Sequence, residues 1–308
     1  MGDVSFADAA IDWFDHNARD LPWREPATSP WAILVSEVML HQTPVVRVLP
    51  AWLAWLDRWP DPAALAADSP AEAIRMWNRL GYPRRALRLH ECATVLVHRH
   101  DGRLPTDLDE LLALPGVGTY TARAVAAFAY GQRHPVVDTN VRRLVARAID
   151  GAADAGPATR PADLVATAAL LPVEPVRAAR ASAAFMELGA LVCVARTPRC
   201  GACPMARRCA WRAAGRPAPV GPSRRPQQYA GTDRQVRGLL LAVLRDATGP
   251  VPPQRLDVVW PDALQRRRAL ASLIEDGLVE PVAPDDTPPT AYALAGQDWT
   301  GLGQAGAG

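Results

Sequence analysis

The sequence contains no lysine, so every one of its 34 Lys/Arg positions is an arginine. No lysine amine is available as a nucleophile, which excludes Schiff-base chemistry at a lysine. What remains is a set of planar forks suited to phosphate. Long apolar runs are missing as well, and no stretch reaches the ~20 residues needed to cross a bilayer. The opening residues, MGDVSFADAAIDWF, lack the basic and apolar blocks of a signal peptide. Cysteine is scarce and unevenly placed: of five, four lie within 193–209. Such crowding does not suit a disulfide framework, and a reducing, cytoplasmic setting is expected. The net charge is only +2, so total charge says little about partners.

The 308 residues suffice for two or three domains with a sizeable core. Thirty prolines in an alanine-rich background disfavour long strands and cut the chain into many short helices. Helical patterns run over 6–19, 31–43, 47–58, 71–78, 83–99, 107–113 and 119–130. After an extended 131–137 they resume at 138–150, 161–170 and 174–190. Residues 213–231 read as a Pro/Gly/Arg linker, followed by helices at 232–246 and 262–276 and two short strands, LVEP and AYALA.

Several constellations carry chemistry. Cys193, Cys200, Cys203 and Cys209 form C-x6-C-x2-C-x5-C, a density that suits an iron–sulfur cluster, with a structural zinc site as the rival. Cys92, on an amphipathic helix, reads as core. The turn LPGVG, with Leu114, Gly116, Val117 and Gly118, runs straight into a helix. Its glycines would let the backbone approach a phosphate, although an ordinary helical hairpin reads the same way. Glu37 is a carboxylate inside VSEVML, on a helix apolar on nearly all faces. Burial there raises a pKa toward what a general acid needs, while a buried glutamate bonded to a neighbouring loop stays open as the plain alternative. Asp138 sits where a helix cap is expected. Arginines cluster at Arg84/Arg85/Arg88, Arg142/Arg143/Arg147, Arg207/Arg208/Arg212 and Arg224/Arg225, and Tyr82 lies on a turn between arginines. Sets spread over separate elements beside a phosphate-binding turn favour a DNA backbone track, with Tyr82 as a stacking or wedging ring.

SEVMLHQT, RLGYPRRA, LPGVGTYTA, VVDTNV, MELGALVC and the four-cysteine loop occur in the order and spacing of the endonuclease III superfamily of DNA glycosylases. From about Leu21 to Cys209 the chain resembles that superfamily, and most closely its MutY-type adenine glycosylases. The resemblance implies an all-α, two-lobed helix-hairpin-helix fold. One lobe, at 29–131, has six helices and carries the hairpin. The other, from 1–28 and 132–225, holds a 4Fe-4S cluster on the four cysteines, with a DNA groove and base pocket between the lobes. Residues 226–308 are too short and too helical for the nudix-like domain usual in that family, and a small winged-helix-like module is expected instead.

The same resemblance implies roles. Glu37 matches the general acid, Asp138 the carboxylate that stabilises the sugar cation, Tyr120 a hydrogen-bonding tyrosine and Asn140 a supporting amide. Trp23 and Arg24 match the pocket wall, and Gln42 and Tyr82 match residues inserted around the opposing purine. Leu114, Gly116, Val117 and Gly118 form the phosphate clamp, with Arg84, Arg85 and Arg142 on the backbone track. The expected activity is excision of adenine opposite 8-oxoguanine or guanine in double-stranded DNA, by a monomer. Endonuclease III-type enzymes place a lysine where Tyr120 stands, so no strand cleavage is expected. Mismatch thymine glycosylases share the tyrosine but lack the glutamate, so Glu37 argues for adenine. A non-catalytic iron–sulfur DNA-binding protein would not need both carboxylates. His41, Pro83 and Ala183 depart from the family pattern.

Overall fold

The computed structural model describes residues 5–156, 159–219, 228–283 and 288–297. In chain order the described helices are α1 (Phe6–Asn17), α2 (Pro30–Leu40), α3 (Val45–Arg58), α4 (Pro62–Ala67), α5 (Pro70–Trp77), α6 (Arg84–Arg99), α7 (Leu108–Leu112) and α8 (Thr119–Tyr130). They continue with α9 (Thr139–Val145), α10 (Pro161–Leu170), α11 (Pro175–Leu191), α12 (Ala210–Ala213), α13 (Asp233–Asp246), α14 (Pro253–Asp257) and α15 (Ala263–Glu275). The only described strands are β1 (Val279–Val282) and β2 (Ala291–Leu294). The all-α expectation therefore holds, with its small exception in the expected place.

Proline sets the rhythm by starting helices rather than breaking them. It occupies the first turn of α4, α5, α10, α11 and α14, where its missing N–H costs nothing. Asp61, Ser69 and Glu174 each accept a backbone N–H at such a start. Helices α4 and α14, of six and five residues, are absent from the sequence patterns, whereas the equally short α7 is among them. Helix α2 ends at Leu40 rather than Thr43, since Gln42 takes a left-handed φ of 55°.

The chain divides into two compact units. The first comprises Met1–Glu37, Leu104–Ala113 and Val117–Ser223. Its core joins Ala7, Ala10 and Phe14 of α1 to Ala178, Ala181 and Phe185 of α11 and to Val141 and Leu144 of α9. Small alanine side chains let these helices approach closely, and one contact is closer still. A Cβ on Gly189 of α11 would stand 2.6 Å from the Asn140 carbonyl oxygen at the start of α9. Gly189→Ala should therefore destabilise the protein by roughly 2–3 kcal/mol, as overpacking a rigid backbone contact does. It should also slow any chemistry that depends on Asp138 and Asn140. Thermal unfolding checks the first expectation, and an unchanged melting temperature would refute it.

The second unit comprises Val38–Arg103, Leu114–Gly116 and Arg224–Gly308. Trp55 packs edge-on against Trp59 and Trp77, with ring centroids 4.6 and 5.6 Å apart. Its C-terminal portion runs α13, α14, α15, β1, β2, the element order of a winged helix. β1 and β2 pair antiparallel from Val279↔Leu294 to Val282↔Ala291, and Val251 bridges Tyr292 on the far side of β2. This portion shares one apolar core with α5: Ala71 and Ile74 pack among Val236, Leu240, Leu244 and Leu273. Arg75 of α5 donates to the carbonyls of Arg245 and Ala247, 2.8 and 2.9 Å away, closing the C-terminal end of α13.

Candidate active site

Helix α2 is buried along almost its whole length, and Glu37 is 5 % exposed among apolar neighbours. Burial pushes its carboxyl up to about 7, and the Asp138 charge pushes the same way. A hydrogen bond from the Tyr120 hydroxyl and the Arg24 guanidinium oppose the rise. Tyr120 lies in the first turn of α8, and its phenol is held well above the usual range by burial and by the two carboxylates. It stays a neutral donor across the ordinary pH range.

Asp138 caps α9. Its Oδ1 accepts the backbone N–H of Asn140 and Val141 at 2.9 and 2.7 Å, and its Oδ2 accepts from the Asn140 amide at 2.7 Å. Burial raises its carboxyl, while these three bonds and the Arg143 charge oppose the rise. Glu37 thus feels the Asp138 charge, and the two carboxylates lie in different surroundings. Glu37 accepts from a phenol in an apolar helix, whereas Asp138 is wrapped in donors that favour its anion. An acid and a stabilising anion need that asymmetry.

Trp23 and Arg24 sit on a short turn, Pro22–Arg24, and Trp23 is buried. The Arg24 guanidinium bonds Glu187 at 2.8 Å, and Glu187 also takes Arg19 at 2.7 Å on each carboxylate oxygen. Burial alone would raise Glu187, but these two guanidiniums hold it down at about 2.

In the turn before α8, Gly116 has φ +76°, and an added Cβ would lie 2.7 Å from the Arg88 Cβ. Gly118 caps α8 with no side-chain bond, and nothing stands within 4 Å of its Cβ position. The backbone N–H groups opening α8 therefore start at an exposed glycine, the setting in which a helix N-terminus receives an anion.

Cys193, Cys200, Cys203 and Cys209 are all free and line one pocket together with Arg147 and Trp211. Burial pushes the Cys203 thiol up to about 11, with the three other sulfurs adding to the rise. Arg147 is buried, donates to the carbonyls of Ala153, Val194 and Ala195, and reaches the Cys193 Sγ at 3.5 Å. Among the described residues no group of three or more His, Cys, Asp or Glu converges on one metal ion. The four sulfurs share that pocket, with a guanidinium against one of them, a donor set whose chemistry suits iron–sulfur ligation.

Residues 35–159 match the model of the HhH-GPD superfamily of base excision DNA repair proteins. The chain is 59 % identical over 292 residues to the adenine DNA glycosylase of Mycolicibacterium smegmatis, covering 94 % of this chain and 96 % of that one. The chain belongs to the adenine DNA glycosylase family of the HhH-GPD superfamily. The adenine DNA glycosylase of Mycobacterium tuberculosis is 60 % identical over 270 residues, with 87 % of this chain and 88 % of that one covered. In fold, the chain is similar to the structure of a thermostable thymine-DNA glycosylase, with a TM-score of 0.60 and 26 % identity over 68 % of this chain and 95 % of that one.

Not every residue singled out from the sequence of this adenine DNA glycosylase family member is placed to meet a ligand. Arg142 is buried, pairing with Asp163 at 2.8 Å and donating to the Ala155 carbonyl at 2.7 Å. Arg85 is committed to the carbonyls of Val38, Met39, His41 and Gly81, and its burial lowers the guanidinium to about 10. Both guanidiniums tie the chain to itself rather than face solvent. Arg84 is half-exposed and pairs with Asp276 at 3.2 Å. Arg207, Arg208 and Arg212 are exposed, while Arg224 and Arg225 lie outside the described residues. Gln42 and Tyr82 are brought together: the exposed Tyr82 hydroxyl donates to the Gln42 Oε1 at 2.8 Å, and both residues have left-handed φ.

Two residues carry weight that no motif assigned them. Glu187, inside MELGA, holds Arg19 and Arg24. The signal was present, a carboxylate on a buried helix, the same criterion that singled out Glu37. Arg143 donates to the Asn140 Oδ1 at 2.8 Å, the Gly189 carbonyl at 2.7 Å and the Cys193 carbonyl at 2.6 Å. It joins the amide beside Asp138 to the first residue of the cysteine loop.

Proposed function

We propose that the protein removes adenine mispaired with 8-oxoguanine or guanine from double-stranded DNA, releasing the base and leaving the strand uncut. The observation that carries this reading is a buried glutamate with a pKa near 7 that accepts from Tyr120 in the field of the capped carboxylate Asp138. Adenine is a poor leaving group until protonated, and its target bond is reached only when the nucleotide leaves the stack. Glu37 gives its proton to a ring nitrogen of the extruded base. The glycosidic bond then breaks with its electron pair going to adenine, and positive charge develops on the sugar. Asp138, still anionic, stabilises that cation. Glu37, now ionised, takes a proton from water as the hydroxide adds to the sugar carbon, which restores the acid.

Trp23 and Arg24 form a pocket wall anchored on Glu187, Asn140 holds Asp138 in place, and the turn Leu114–Gly118 receives a phosphate. Cys193, Cys200, Cys203 and Cys209 hold a 4Fe-4S cluster, which when bound cross-links the loop bearing Arg207 and Arg208 through its iron–thiolate bonds. The protein acts as a monomer.

Single-turnover assays on duplexes with A, G, T or U opposite guanine and 8-oxoguanine test the reading. Adenine release above all other bases is expected, and release of another base in preference would overturn it. With Tyr120 in the site and no lysine in the chain, borohydride should trap no enzyme–DNA adduct on abasic DNA. A borohydride-dependent adduct accompanied by strand nicking would refute the monofunctional assignment.

A further inference from the structure

The exposed pair Tyr82–Gln42 has a third member that comes from the C-terminal portion of the chain. The Arg234 guanidinium lies 5.9 Å from the centroid of the Tyr82 ring, within cation–π range. Arg85 lies 5.6 Å from the same ring, but its guanidinium is committed to backbone carbonyls. Arg234 is exposed, in the first turn of α13.

That turn is held firmly. Its neighbour Asp233 accepts from Nε and Nη2 of Arg268 at 2.7 and 2.8 Å and from the Gln265 amide at 2.9 Å, and Gln265 also donates to the Gly231 carbonyl at 3.0 Å. At its other end α13 is fastened to α5 by Arg75 and by Arg245, which donates to the Ile74 carbonyl at 3.0 Å. The shared core with Ala71 and Ile74 completes the attachment. Arg84, two residues after Tyr82, pairs with Asp276 just beyond α15. The winged-helix-like portion is therefore built onto the element that carries Tyr82, and it delivers Arg234 to that ring as a fixed group.

Resting on the proposed excision of adenine from mispairs, we propose that Arg234 is a specificity-determining residue that, with Gln42 and Tyr82, favours 8-oxoguanine over guanine as the base opposite the adenine. Guanine carries a C–H at position 8, whereas 8-oxoguanine carries a carbonyl there. A guanidinium presents only donors, so it gains a bond from the added carbonyl and none from the C–H. Tyr82 supplies a face on which the purine stacks, and Gln42 supplies an amide that both donates and accepts. The left-handed backbone at Gln42 and Tyr82 is the local strain expected where a recognition geometry is held in place by its surroundings.

The test is equilibrium binding and single-turnover excision by wild type, Arg234→Ala and Arg234→Lys on duplexes with A opposite 8-oxoguanine and A opposite guanine. Melting temperatures are recorded alongside. Arg234→Ala should lower the 8-oxoguanine-over-guanine preference about tenfold in Kd, the order of one lost base contact. Arg234→Lys, which keeps a cationic donor, should recover part of it. An unchanged preference in Arg234→Ala overturns the proposal. So does an equal loss on both duplexes, which marks a phosphate contact, and so does a wild type with no preference to lose. If wild type releases no adenine from either duplex, the excision reading fails, while the binding ratio still decides the role of Arg234.

Discussion

Replacing Glu37 with glutamine should slow adenine release by about 10³-fold, within the range lost when a positioned general acid is removed. DNA affinity should stay nearly unchanged. The side chain keeps its length, and its Oε1 still accepts from Tyr120, so the pocket keeps its shape while the transferable proton is gone. The wild-type rate should also depend on pH in one direction. The acid must be protonated, and burial places its pKa at about 7. Release should therefore be constant below neutrality and fall as pH rises through 7, whereas the residual rate of Glu37→Gln should be flat. A wild-type rate that stays level from pH 6 to pH 9 would remove Glu37 from the proton transfer.

The same substitution should stabilise the protein under alkaline conditions. The folded-state pKa of Glu37, about 7, lies above the ordinary glutamate value of 4.5. Below 4.5 the group is neutral in both states and costs nothing. Between 4.5 and 7 the unfolded chain loses the proton first, so stability declines as pH rises; above 7 the penalty is constant at roughly 3 kcal/mol. Glutamine never ionises and escapes this cost, although its new N–H donors need partners and reduce the gain. The unfolding midpoints of wild type and Glu37→Gln should coincide near pH 4.5 and separate in favour of the mutant by pH 8. A gap independent of pH would show that Glu37 does not carry the burial penalty. Less stability with more activity is the usual balance at a site built around a buried charge.

Local rules of the chain left clear marks in the sequence, and long-range pairings did not. The Asp138 cap and the glycine turn before α8 are settled by neighbours a few residues away, and both were legible. The fold class and the family were legible for a different reason, because five motifs and the cysteine loop constrain one another. Arg142 and Arg85 read as surface arginines in the sequence because an arginine on a helix shows no partner there. Asp163 lies 21 residues from Arg142, and three of the four carbonyls that take Arg85 lie 44 to 47 residues away. Glu187 shows in the sequence only as a carboxylate on a buried helix, since its partners Arg19 and Arg24 are more than 160 residues distant. The closeness of Gly189 to Asn140 likewise exists only once α9 and α11 have packed.

Asp138→Asn should lower single-turnover adenine release by about 10²- to 10³-fold, the scale of losing one charge aimed at a transition state. Folding should be nearly unaffected, because asparagine caps a helix about as well as aspartate and can accept the same two backbone N–H groups. Alanine at this position removes both functions and should cost about 1 kcal/mol of stability in addition. Comparing the two variants therefore separates the charge from the cap. The charge has a second signature. Because Asp138 helps to raise Glu37, the asparagine variant should keep its remaining activity only to a lower pH, with the descending limb of its profile moved downward from that of wild type. A purely capping role for Asp138 would spare the asparagine variant, weaken only the alanine variant and leave the limb where it was. If Asp138→Asn matches wild type in rate at every pH, the anion that stabilises the sugar cation must be sought elsewhere in the site.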